Sequence, residues 1–123
     1  MLKRNTLMLA LLASPVLAED LPPAIDCYQS RANAKDIDAY MACFTEDAEI
    51  IDVSRTFTGQ EDIRAWAARE VIPGGDTFRH REILEQAEGN AKTEVNWLSW
   101  VVHYSYWWDA EGTITKMSLQ YAN

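Results

Sequence analysis

Residues 44–66 read FTEDAEIIDVSRTFTGQEDIRAW. Thr45-Glu46-Asp47 is a turn composition, and Ala48 to Val53 then reads as a strand, with Ala48, Ile50 and Asp52 on one face and Glu49, Ile51 and Val53 on the other. A carboxylate on the apolar face must be used or satisfied, because burying it unpaired is costly. After Arg55-Thr56-Phe57, the pattern Thr58-x-x-Glu61 is that of a capping box. It opens an amphipathic helix over about Gln60 to Val71, whose inner side is Ile63, Trp66, Ala67 and Val71.

Upstream, Pro23 suits a first helical turn, and Ile25, Tyr28 and Ala32 recur at helical spacing. Asn33 to Asp36 breaks that helix, and Asp36 can cap a second whose stripe is Ile37, Tyr40, Met41 and Phe44. The chain therefore starts as a helical hairpin. Cys27 and Cys43 lie eight residues either side of Lys35, near the hairpin turn, and so at about the same height. A Cys27–Cys43 bridge would stabilise by about 3 kcal/mol through loop closure.

Downstream, Pro73-Gly74-Gly75-Asp76 stops the third helix and the remainder is strand-rich. Thr77 to Ala87 is extended, and Glu88-Gly89-Asn90 turns. Ala91 to Tyr106 is rich in Trp, Tyr, Val and Thr, and its length calls for a bend or tight turn near Ser99 to Val102. Asp109 to Gly112 is a hairpin turn before a last strand from Thr113 to Tyr121. Helices first and an antiparallel sheet after is an α+β order, leaving a cavity between the layers.

Lys3 and Arg4, the apolar run Leu7 to Ala13 and the site Val16-Leu17-Ala18 have the form of a signal peptide over residues 1–18. The expected organisation is that leader followed by one domain over 19–123, secreted or periplasmic and free of the membrane after cleavage. Loss of Lys3 and Arg4 takes the net charge of −8 to near −10, which argues against nucleic acid and anionic membrane surfaces as partners. An oxidising compartment favours the disulfide over free thiols.

Several local motifs, taken in order, resemble the nuclear transport factor 2-like superfamily, with its SnoaL-like and ketosteroid isomerase-like members. They are Asn33-Ala34-Lys35-Asp36-Ile37-Asp38, Phe44-Thr45-Glu46-Asp47-Ala48, Gly59-Gln60-Glu61-Asp62-Ile63 and Asp109-Ala110-Glu111-Gly112-Thr113-Ile114, with Tyr121-Ala122-Asn123 at the end. The resemblance implies a cone-shaped α+β fold, three N-terminal helices packed on a curved, mostly antiparallel sheet that encloses a pocket. In the isomerase pattern the general base is an Asp in an A-x-V-x-D context, matched by Ala48-x-Ile50-x-Asp52. The oxyanion-donating Tyr lies eight residues before the Asp that opens the second helix, matched by Tyr28 and Asp36. The third position, an acid in that family, falls on Tyr104, or on His103 if the register slips by one.

By this resemblance, a small hydrophobic or carbonyl-containing molecule would bind in the cone. Asp52 would act as base with Tyr28 and Tyr104 as donors, in an isomerisation, cyclisation or dehydration that needs no cofactor. Trp66, His80, His103 and Tyr106 would line the pocket, and an Asp52–His80 dyad is conceivable. A metal site of His80, His103 and Asp52 has suitable ligand types but no supporting spacing, so none is expected. The competing reading has Asp52 capping a turn or paired with Arg55 or Arg64, with the tyrosines as core. The chain is then a non-catalytic accessory or homodimeric interaction protein in which the cavity is only core. The cluster from Trp97 to Trp108 puts rings on both sheet faces, and a second copy would cover the outer one.

Overall fold

A computed structural model describes residues 20–122, so the expected signal peptide lies outside the described residues. Helix α1 spans Pro23–Asn33 with proline in its first turn, and Ile25, Tyr28 and Ala32 are buried. Lys35 takes a positive φ of 57° at the turn. Asp36 then caps α2, Ile37–Met41, its side chain accepting from the Ala39 amide at 3.1 Å. The hairpin brings Cys27 and Cys43 to a Cα separation of 6.0 Å, and the two are disulfide-bonded.

Strand β1 runs Phe44–Asp52, so Phe44 belongs to the strand rather than to the stripe of the second helix. The expected turn at Thr45 to Asp47 is instead an irregularity inside β1, where its register with the last strand shifts between Phe44 and Glu49. The Gln60 amide supports it, donating to the carbonyls of Phe44 at 3.0 Å and Thr45 at 3.2 Å. Val53, at φ 59°, turns the chain into β2, Arg55–Thr58, a strand that alternation did not signal.

Helix α3 covers Gly59–Trp66 and passes into a π-helical turn, Ala67–Val71, and a 3₁₀ segment, Ile72–Thr77. The capping box does not form: Thr58 makes no side-chain cap bond. It is the last residue of β2, paired with Glu49, and the chain turns at Gly59 with φ 87°. Gly75 allows close packing on α1, since a Cβ there would lie 2.0 Å from the Ala32 carbonyl oxygen. Asn33 fastens the same contact by donating to the carbonyls of Gly75 and Phe78.

The remaining strands are β3 (Arg79–Ala87), β4 (Asn90–Trp97), β5 (Trp100–Trp108) and β6 (Ile114–Tyr121). The turn between β4 and β5 falls at Leu98-Ser99, overlapping the start of the expected bend, with Leu98 at φ 55°. The six strands form one curved sheet in the order β2-β1-β6-β5-β4-β3. Among the described residues, only the β1–β6 pair is parallel. The helices cover one face, and the core between the layers includes Ile25, Tyr28, Ile50, Ile63, Trp66, Val95, Tyr106 and Met117. This is the expected α+β cone.

Candidate functional site

The cone opens where the end of β1, the beginning of β2, the π-helical turn and the adjoining ends of β4, β5 and β6 meet. A cleft of about 370 Å³ lies there, within the range of roughly 300–1,000 Å³ usual for small-molecule sites. Its apolar walls are Trp66, Val71, Trp97, Val102, Tyr104 and Leu119, and its mouth carries Asp52, Arg55, Glu70, Gln120 and Tyr121. The period of β1 puts Asp52 on the inner face with Ala48 and Ile50, as its alternation required.

Asp52 is tied on two sides. It forms an ion pair with Arg55, and its Oδ2 accepts from Trp66 Nε1 at 3.1 Å. Arg55 also grips Glu70 with two nitrogens, at 2.9 and 2.6 Å, and its guanidinium lies over the Phe57 ring at 5.4 Å. Glu70 and Asp52 together raise the Arg55 pKa further, while Arg55 holds the Glu70 carboxyl below its ordinary value. The pairing of Asp52 with Arg55 is the one the competing reading allowed. Arg64 instead pairs with Asp38, at 2.5 Å.

The residues named from sequence separate into two groups. Asp52, Trp66 and Tyr104 come together in the cleft. Tyr28 does not line it: the residue is fully buried among the rings of Tyr40, Phe44, Phe78, Tyr104 and Tyr106, with centroids 5.0–6.1 Å away. Burial pushes its pKa well above the ordinary phenol value. Tyr40 and Tyr104 are close enough to perturb it, yet none reaches its hydroxyl with hydrogen-bond geometry. Tyr106 shares the inner face with Tyr104 but sits deeper, opposite Ala91 and Met117, as core.

The histidines are not in the cleft lining either. His103 alternates with Tyr104 along β5 and faces the other side, where its Nε2 meets Glu94 Oε2 at 3.0 Å. His80 lies opposite Val95 on β3, half-buried and away from the mouth. An Asp52–His80 dyad does not form, because β6, β5 and β4 separate β1 from β3. Among the described residues, no group of three or more His, Cys, Asp or Glu converges as metal ligands would.

Glu70, Trp97, Gln120 and Tyr121 belong to the cleft but were not singled out for it in the sequence. Glu70 is placed by the π-helical turn, which no residue pattern announced. Tyr104 combines both regions: it lines the cleft and packs on Tyr28 at 5.6 Å. Its pKa is pushed well up, first by burial, then by Tyr28 and Tyr106 and also by the Asp52 charge.

No family model matches the chain, and no curated relative matches it. Solved structures do. A SnoaL-like protein of unknown function from Burkholderia thailandensis superposes with a TM-score of 0.70 at 15% identity, over 80% of this chain and 92% of its own. A computationally designed 17-OHP binder reaches 0.66 at 15% identity, over 80% and 87%. The epoxide hydrolase/cyclase-like enzyme SalBIII, of pyran ring formation in polyether salinomycin, reaches 0.64 at 16%, over 80% and 88%. At these identities the likeness establishes the architecture, while function must be argued from the site.

Proposed function

We propose that this chain, whose fold is the nuclear transport factor 2-like cone, is an exported protein that binds a small, largely apolar molecule in the cleft between Trp66 and Tyr104. The observation that carries this reading is the cleft itself: about 370 Å³ of space lined by rings and aliphatic side chains, with the charged groups Asp52, Arg55 and Glu70 beside them. Such a lining lets the apolar body of a ligand leave water while the charged groups fix its polar end. The designed 17-OHP binder is a neighbour that holds a small molecule on this architecture. Export rests on the leader-like residues 1–18 and fits the Cys27–Cys43 disulfide. A second copy is the proposed cover for the outer sheet face, where Trp107 is 37% exposed.

A proton-transfer reading retains one specific support, the presence of Asp52 and Tyr104 in the same cleft. Against it, Asp52 Oδ2 is engaged by Arg55 and Trp66, and Tyr28 is outside the cleft lining. Both bonds use Oδ2 and leave Oδ1 open, so what the reading lacks is Tyr28, the donor it pairs with this base. Binding without turnover is therefore the conclusion.

The test fills the cleft. Val102→Trp should abolish saturable binding of a neutral apolar dye such as Nile red while circular dichroism remains that of the wild type. Undiminished dye binding by a folded variant would sink the reading. In parallel, the wild type should not exchange the α-proton of a β,γ-unsaturated ketone. Exchange that disappears in Asp52→Asn would instead establish Asp52 as a base.

A further inference from the structure

A second groove, of about 360 Å³, lies between the helical hairpin and the β5–β6 turn, and both Cys27 and Cys43 border it. Its charged lining residues are Asp26 and Arg31, with Ser30 and Gly112 beside them. The two cysteines differ in cover: Cys27 is half-buried, whereas Cys43 is 3% exposed. A thiolate entering the groove therefore meets Cys27 first.

The charges make the same distinction. Thiol–disulfide exchange is fastest when the attacked sulfur is accessible and the displaced sulfur is the better stabilised thiolate. Arg31 Nη1 lies 3.9 Å from Cys43 Sγ and is held there by donating to the Ala39 carbonyl at 2.9 Å. Burial alone would raise the pKa of a Cys43 thiol, and the guanidinium works against that rise. Asp26, next to Cys27 in the chain, disfavours negative charge on Cys27. Access thus selects Cys27 for attack, and charge selects Cys43 to leave.

We propose that Cys27–Cys43 is an exchangeable disulfide, attacked at Cys27, and that its reaction partner is a dithiol. A thiolate of the partner bonds to Cys27 Sγ, the Sγ–Sγ bond breaks, and its electron pair leaves on Cys43 beside Arg31. The partner's second thiolate then attacks the partner's own sulfur in the mixed disulfide and releases the Cys27 thiolate. Each thiolate left on the protein takes up a proton, matching the two that the dithiol gives up. The partner is oxidised to a disulfide by the same two electrons that reduce the protein. Neither sulfur borders the ligand cleft, so this reactivity is independent of what binds there.

The experiment applies a brief pulse of glutathione to the folded protein, caps free thiols with N-ethylmaleimide and maps the tryptic peptides. Cleavage after Arg31 and Lys35 puts the two cysteines on different peptides. Glutathione should be found on Cys27, with the maleimide on Cys43, about tenfold more often than the reverse. Adducts shared equally, or favouring Cys43, would overturn the proposal. Reduction by dithiothreitol should rise in proportion to thiolate concentration and outrun global unfolding measured in the same buffer. A rate that levels off at the unfolding rate would also overturn it, since the bond would then open only in the unfolded chain. In Arg31→Ala reduction should slow about fivefold, while Arg31→Lys, which keeps the charge, should stay within about twofold of wild type. Faster reduction of a folded Arg31→Ala would overturn the leaving-group assignment. If Arg31→Ala does not fold, the position of the glutathione adduct in the wild type still decides.

Discussion

At the closed end of the cone, Tyr28, Tyr40 and Tyr106 are fully buried and Phe78 is 1% exposed, whereas at the open end Trp100 and Tyr121 remain about half exposed. Both ends are rich in aromatic rings lying between, or next to, the same two layers. At the closed end, α1 and the 3₁₀ segment leave no room for a Cβ at Gly75 against Ala32, and the Tyr28 ring packs among five others with centroids 5.0–6.1 Å away. At the open end, α3 gives way to the π-helical turn and the sheet outruns its helical cover. The difference shows that coverage, not residue type, separates core from site here.

The largest expected contrast comes from removing one ring at each end. Tyr28→Ala should destabilise by about 3–5 kcal/mol, as buried aromatic truncations do. Tyr121→Ala should change stability by no more than about 0.5 kcal/mol while weakening ligand binding. Urea denaturation of both variants measures this, and equal losses would break the distinction between the ends.

Next in size is the covalent tie between α1 and α2. Replacing Cys27 and Cys43 together by Ser should lower stability by about 3 kcal/mol, yet leave dye binding in the cleft unchanged, because neither sulfur borders it. Lost binding in a still-folded variant would show that the two ends are coupled.

The smallest effect belongs to the mouth. Arg55 holds Glu70 more acidic in the folded state than in the unfolded chain, whose reference is 4.5. Its contribution is therefore complete above pH 4.5 and disappears as pH falls through the lowered value. Wild type minus Glu70→Gln stability should thus decline across that acid window, by at most about 1 kcal/mol for so solvent-accessible a network. A difference that grows on acidification would show that the pair does not stabilise the fold.

Much of the architecture is legible in the residues. The Asp36 cap, the inner stripe of Ile63, Trp66, Ala67 and Val71, and the turns at Glu88 to Asn90 and Asp109 to Gly112 are local consequences of periodicity and turn chemistry. The Asp52–Arg55 pair was similarly within reach, being three residues apart across a tight turn. Strand β2 escaped because its residues are mostly exposed and do not alternate. The Thr58 cap failed for the related reason that strand pairing claimed the residue first.

What the sequence determined by itself is the order of the helices and of the strands other than β2, the disulfide and the inward placement of Asp52, all set by short-range spacing. It could not distinguish Tyr28 from Tyr104, since both are tyrosines on inward faces. Both are buried, and only the tertiary structure set one behind the cleft and the other on its wall. Nor could it bring Glu70 to Arg55 across fifteen residues, because that meeting depends on where the π-helical turn aims the chain. Short-range spacing fixes which way a side chain points, but whether it meets a neighbour or open space depends on packing between layers distant in sequence.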